Sequence, residues 1–227
     1  MRTHPKKRGS QIVRLDIPLN KEESKRADAN AKESIKVYSD SSAHNGGVGA
    51  AATLKRKGKT DRTIKLYLGT TEQHTVYEAE LVGMILGLHL IKTEARSKTK
   101  CALSVDNQAA LVAIKTEMNK SGQHLAANLL QIAKQLLDSR DNRKFRLTFR
   151  WSAGHVGIQG NEEADKAAKE AAEGGSSDRK DLPRASGSRL GTAYQQCSKP
   201  GMKNSRADGQ RHGPSHLDQK DCDSKIY

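Results

Sequence analysis

Three consecutive segments between Ile35 and Gly69 alternate apolar and polar side chains at the two-residue period of a pleated strand, and this constrains the fold more than any other part of the chain. In the first, Ile35, Val37 and Ser39 alternate with Lys36, Tyr38 and Asp40. His44-Asn45-Gly46-Gly47 follows, and Asn-Gly accepts at little cost the positive φ of a tight hairpin turn. A second strand, rich in small residues, is expected from Val48 to Leu54. Gly58-Lys59-Thr60 then turns the chain into a third, Arg62 to Gly69, where Ile64, Leu66 and Leu68 share one face. Three successive antiparallel strands result. The first carries one acid, Asp40, towards its end, and a carboxylate there is either an ordinary surface charge or a metal ligand.

Beyond these strands the period becomes helical. Thr75 is expected to cap a helix from Val76 to Thr93, with Glu78 three residues on completing a capping box. The first turn carries two acids, Glu78 and Glu80, which the helix dipole alone accounts for. Lys100 to Val105 reads as a strand ending in Asp106-Asn107, with a helix behind it through Ile114. An acid at the carboxyl end of such a strand stands where sites of α/β sheets form. Gln123 to Leu137 gives another helix, and Lys144 to Trp151 a fifth strand in which Phe145, Leu147, Phe149 and Trp151 alternate with basic and polar residues. A Gly-rich loop, Gly154 to Gly160, leads to a last helix from Asn161, taken as its N-cap, to about Glu173. The order β-β-β-α-β-α-α-β-α predicts an α/β fold: a five-stranded mixed sheet flanked by helices.

The flanks read differently. Residues 1–33 are polar, with a basic cluster at Lys6-Lys7-Arg8, and are expected to form an arm, although Gln11 to Pro18 could pair as a short strand. From Gly174 to Tyr227 hydrophobic spacing disappears, and a disordered polar tail is expected. With 34% hydrophobic and 4% aromatic residues, the chain is not expected to pack throughout its length. A formal net charge of +14 favours polyanionic partners such as nucleic acid, although basic tails give the same number. The three cysteines, Cys101, Cys197 and Cys222, lie too far apart for a zinc motif, and Cys101 is expected to be a buried thiol. No apolar run has the length of a membrane helix, so the chain reads as intracellular, nuclear or cytoplasmic.

Asp40, Glu80, Asp106 and Asp165 are the acids in this order of elements, and three of them lie at strand ends or helix starts that could converge above one end of the sheet. Converging carboxylates suit magnesium, which takes oxygen ligands, and a pair of such ions can act on a phosphodiester. Four stretches in order then resemble the type 1 ribonuclease H domain, in the form carried by retroelement reverse transcriptases. They are YSDSS at Tyr38 to Ser42, EAELVGMILGL around Glu80, LSVDNQAAL around Asp106, and WSAGHVGIQGNEEADKAAKEA from Trp151 to Ala171. The resemblance covers about Ser34 to Glu173 and selects Glu80 over Glu78, because the acid of the helix motif stands immediately before Leu.

The resemblance implies an endonuclease that cuts the RNA strand of RNA–DNA hybrids with two magnesium ions, manganese being an alternative, and with a reverse transcriptase as a partner in the parent element. Asp40 would bridge both metals, Glu80 and Asp106 would hold one and Asp165 the other. His155 would assist proton transfer or product release. The competing reading is a retroelement-derived binding module without turnover. Three features depart from the family: Ser41 stands where Gly is usual, Val76-Tyr77-Glu78 replaces an Asn-rich stretch, and no basic insertion is evident between Ile114 and Gln123.

Overall fold

In chain order the elements are β1 (Arg14–Asp16), α1 (Lys21–Ala29), β2 (Ile35–His44), β3 (Gly47–Lys55), β4 (Arg62–Thr70), α2 (Val76–Glu94), β5 (Lys100–Val105), α3 (Gln108–Lys115), α4 (Gln123–Asp138), β6 (Arg146–Trp151), α5 (Gln159–Ala172), β7 (Arg184–Ala185) and β8 (Ser188–Arg189). This computed structural model describes residues 13–94, 99–115, 123–140, 145–185 and 188–189. The stretch 116–122, where the sequence lacks a basic insertion, lies outside the described residues, as do 1–12 and 190–227 of the two expected tails.

The alternating segments form the antiparallel unit β2-β3-β4. Its first turn is the one the Asn-Gly pair requires: Asn45 and Gly46 have φ of 50° and 77°, and His44 stands opposite Gly47. β5 adds parallel to β2, and β6 parallel to β5. The sheet is mixed, in the order β1-β6-β5-β2-β3-β4.

Both faces of its centre are covered. Ala50 and Ala52 of β3 join the main core with α2, while the intervening Ala51 meets Ala167 and Ala168 of α5. α4 packs against α2 and closes that side. α2 lies directly on the strands because two glycines let it. A Cβ on Gly83 would come within 3.1 Å of the Asp40 carbonyl oxygen, and one on Gly87 within 2.5 Å of Leu103 Cδ1. These glycines break the apolar run in the sequence, yet they bring the Glu80 end of the helix down onto β2.

The structure departs from the sequence reading in three places. The sheet has six strands, because β1 adds parallel to β6. Arg150 ties it there, with Nε 2.8 Å from Asp16 Oδ2 and Nη2 2.9 Å from Glu33 Oε1. Residues 13–33 are therefore packed and are not an arm. At the other end the packed chain continues past Glu173. The Ser177 N–H donates to the Lys65 carbonyl at 2.9 Å, the Tyr67 N–H donates to Ser176 Oγ at 2.9 Å, and Leu182 is buried in the core. Two serines and one leucine carry too little apolar pattern to show in the sequence. Lastly, α5 starts at Gln159 with Ile158 at the N-cap, so Asn161 is not the cap; its side chain is buried inside the first turn. No helix among the described residues is long and apolar enough to cross a membrane.

Candidate active site

Asp40, Glu80 and Asp106 come together from three elements. Asp40 lies in β2, Glu80 near the start of α2 just past its first turn, and Asp106 directly after β5. Each offers a carboxylate oxygen, and the three oxygens lie within 4.8 Å of one another. Asp40 and Glu80 are buried, each 5% exposed. The capping box predicted from Thr75 and Glu78 forms, with the Glu78 N–H on Thr75 Oγ1 at 3.2 Å and the Thr75 N–H on Glu78 Oε2 at 2.9 Å. Glu78 is thereby turned to the helix end, and Glu80 is the acid that reaches Asp40.

Burial and crowding make the cluster hard to ionise. Burial first, then the charges of Asp106 and Glu80, pushes the Asp40 carboxyl up to about 8. Burial and then Asp106 push Glu80 up to about 7. Asp106 is also raised, chiefly by burial, with Asp165 adding to the shift. Few donors oppose this. Asp40 Oδ1 accepts the Ser41 N–H at 2.7 Å, and Glu80 Oε1 accepts the Ser41 hydroxyl at 2.9 Å. Glu80 Oε2 is buried with no hydrogen-bond partner. A buried, partnerless carboxylate oxygen beside two further carboxylates is costly unless a cation stands there. Hard oxygen donors of this kind fit a divalent cation such as magnesium.

Asp165 and His155 stand beside the trio. Asp165 is on α5, and its charge raises both Asp40 and Asp106. Its Oδ2 is held by Lys169 Nζ at 2.7 Å, one helical turn on, and it is not among the three residues whose oxygens converge. His155 lies in the loop before α5, near enough to Asp106 for its charge to lower that carboxyl. A Cβ on the neighbouring Gly154 would be 3.2 Å from Asp106 Oδ2.

The ribonuclease H family model matches residues 32–173, which span these acids and His155. The chain belongs to the ribonuclease H family. Among solved structures it is similar to ribonuclease H1 of the halophilic archaeon Halobacterium salinarum, at 19% identity over 62% of this chain and 98% of that one, with a TM-score of 0.44. It is similar to LC11 ribonuclease H1, solved in complex with an RNA/DNA hybrid, at 16% identity over 62% and 97%, with a TM-score of 0.47. A third is the N-terminal ribonuclease H domain of a Mycobacterium tuberculosis protein, at 17% identity over 63% and 99%, with a TM-score of 0.46. No curated protein sequence matches the chain significantly.

Within the ribonuclease H region, several supporting residues escape a motif reading. Asn107 caps α3, its Oδ1 accepting the Ala110 N–H at 3.2 Å, and its side chain stands near enough to Glu80 to lower that carboxyl. The Trp151 indole N–H donates to the Asp106 carbonyl at 2.9 Å, so this strand-end tryptophan fixes the backbone that carries an acid. Lys169 could have been found from its spacing of four residues from Asp165. The Ser41 contact with Glu80 spans 39 residues and leaves no local signal.

Proposed function

We propose that the protein is an endonuclease that hydrolyses the RNA strand of RNA–DNA hybrids to 3′-hydroxyl and 5′-phosphate ends, with Asp40, Glu80, Asp106 and Asp165 holding two divalent cations, magnesium or manganese. One observation carries the reading: the oxygens of Asp40, Glu80 and Asp106 converge within 4.8 Å at a buried place, in a chain whose residues 32–173 belong to the ribonuclease H family. When bound, two such ions supply the positive charge that stabilises the attacking and leaving oxygens of a phosphodiester.

The protein's own groups do the rest. The Ser41 hydroxyl orients the Glu80 carboxylate, Asn107 eases its ionisation, and Trp151 steadies the backbone at Asp106. Lys169 holds Asp165 one turn along α5. His155, beside Asp106, is the group available to carry a proton to or from the reacting oxygens. RNA would be told from DNA by its 2′-hydroxyl and by the groove shape of the hybrid. LC11 ribonuclease H1, whose structure contains an RNA/DNA hybrid, accords with that substrate class. The test is cleavage of end-labelled RNA–DNA hybrid, with duplex DNA and duplex RNA as controls, across a magnesium titration that begins in chelator. Cleavage confined to the RNA strand and dependent on the metal is expected. A folded protein that leaves the hybrid intact at every metal concentration overturns the reading.

A further inference from the structure

The helix α1 lies ahead of the family-matched residues, yet one of its faces meets the start of the loop that carries His155 directly and its end through Tyr38 of β2. Ser24 and Asp28 are one helical turn apart and so share that face. Ser24 is 1% exposed, and its Oγ donates to the Trp151 carbonyl at 3.3 Å and accepts the Ala153 N–H at 2.8 Å. Those two residues are where the chain leaves β6 and enters the loop. Asp28 works at the exit: its Oδ1 accepts the Tyr38 hydroxyl at 2.6 Å. Burial and this carboxylate raise the Tyr38 phenol, so it remains a donor. The Tyr38 ring packs with Ile158, and a Cβ on Gly160 would fall 2.2 Å from it. Lys36 Nζ holds Asp28 in turn, 2.6 Å from its carbonyl oxygen.

The loop between these anchors is one that needs holding. His155 has φ of 56° and Gly157 of 79°. A non-glycine residue in the left-handed region is disfavoured and persists when its surroundings fix it. α1 is not held there by apolar packing, because Ser24 is its one buried residue and its mean character is charged. Its attachment is polar: Ser24 at the entry root of the loop, and Asp28 on Tyr38 and Lys36 of β2, with the Tyr38 ring against the exit root. Through Trp151, whose indole N–H reaches the Asp106 carbonyl, the entry root is also joined to the carboxylate cluster.

We infer that α1 is a clamp on the His155 loop, in which Ser24 and Asp28 are positioning residues that set where the imidazole stands relative to Asp106. The inference rests on the proposed hydrolysis for its catalytic consequence and on geometry alone for the clamp.

A double-mutant cycle separates positioning from mere support of the fold. Single-turnover cleavage of labelled hybrid is measured for the unmodified protein, Ser24→Ala, His155→Ala and the double variant. Ser24→Ala is expected to slow cleavage about tenfold when His155 is present, by letting the loop drift from its reacting geometry, and to change little when His155 is already alanine. Tyr38→Phe keeps the ring and removes only the hydroxyl, so it reports on the exit root even if Ser24→Ala fails to fold; it is expected to slow cleavage in the same way. Hydrogen exchange of the amides from Gly154 to Gly157, measured without substrate, is expected to quicken in the folded variants. Equal fractional losses of rate with and without His155 would overturn the positioning role. Unchanged exchange at Gly154 to Gly157 would overturn the clamp itself. Should the unmodified protein not cleave, the proposed function falls, and the exchange measurement still decides the clamp.

Discussion

The Ser41 hydroxyl lies 2.9 Å from Glu80 Oε1, joining the strand that carries Asp40 to the helix that carries the second acid. The same residue gives its N–H to Asp40 Oδ1 at 2.7 Å. A glycine at this position keeps the N–H and loses the hydroxyl, so the hold on Glu80 would go, together with the longer contact to the Val76 carbonyl at 3.4 Å. That hydroxyl also lowers the Glu80 carboxyl and makes it easier to ionise. Ser41→Gly should therefore raise the magnesium concentration for half-maximal cleavage by about three- to tenfold, the worth of one hydrogen bond. A titration of cleavage rate against magnesium checks it, and an unchanged midpoint would remove Ser41 from the site.

Asp106→Asn should nearly abolish single-turnover cleavage while circular dichroism stays native, because charge is lost and size is kept. Glu80→Gln should do the same. Glu78→Gln should leave cleavage at the level of the unmodified protein, since glutamine can still complete the capping box with Thr75. An inactive Glu78→Gln beside an active Glu80→Gln would move the ligand by two residues.

These two glutamates show how far the sequence can be read. The capping box, the Asn-Gly hairpin and the acid at the end of β5 are local patterns, and each formed as expected. Of the first elements, β1 was legible only as a short strand that could pair between Gln11 and Pro18, and α1 was not legible. β1 is three residues long on a sheet edge, too short for its alternation to show that it joins the sheet. α1 reads KEESKRADA and buries Ser24 alone, so its attachment is polar and its partners lie more than a hundred residues away in Trp151 and Ala153. Asn161 misled for the opposite reason: a good capping residue stands two positions inside a helix whose cap, Ile158, makes no side-chain bond. The carboxylates themselves were found by motif, whereas the groups that support them, Ser41, Asn107 and Trp151, meet them only through the fold.

Hybrid affinity should fall steeply with salt, as expected where basic residues displace counterions from phosphate. Removing residues 1–12 and 190–227, and none of the described residues, should weaken binding and flatten the salt dependence. The magnesium requirement of cleavage should stay the same. Binding isotherms at several salt concentrations check this, and identical slopes for the full and shortened chains would deny the tails an electrostatic role.

The carboxylate cluster should make the metal-free fold sensitive to base. In the unfolded chain Asp40 and Glu80 ionise at their ordinary values of 3.8 and 4.5, while in the folded protein they hold their protons up to about 8 and about 7. Unfolding therefore releases protons between these limits, so stability is greatest below about pH 4 as far as these two groups are concerned. It is lost progressively as pH rises towards 8, where both must ionise in a buried, crowded place. Other acids contribute their own pH dependence, so the cluster is isolated by difference. Asp40→Asn, measured against the unmodified protein in chelator, should raise the melting temperature at pH 8 and change it far less at pH 5. Magnesium should stabilise the unmodified protein more at pH 8 than at pH 5, and should stabilise Asp40→Asn less. Thermal melts at the two pH values, with chelator or magnesium, read all of this at once. The same substitution should abolish cleavage, so the residue that most weakens the empty site would be one the reaction cannot spare. Equal melting temperatures for Asp40→Asn and the unmodified protein at pH 8 in chelator would show that the cluster is not strained by its own charge.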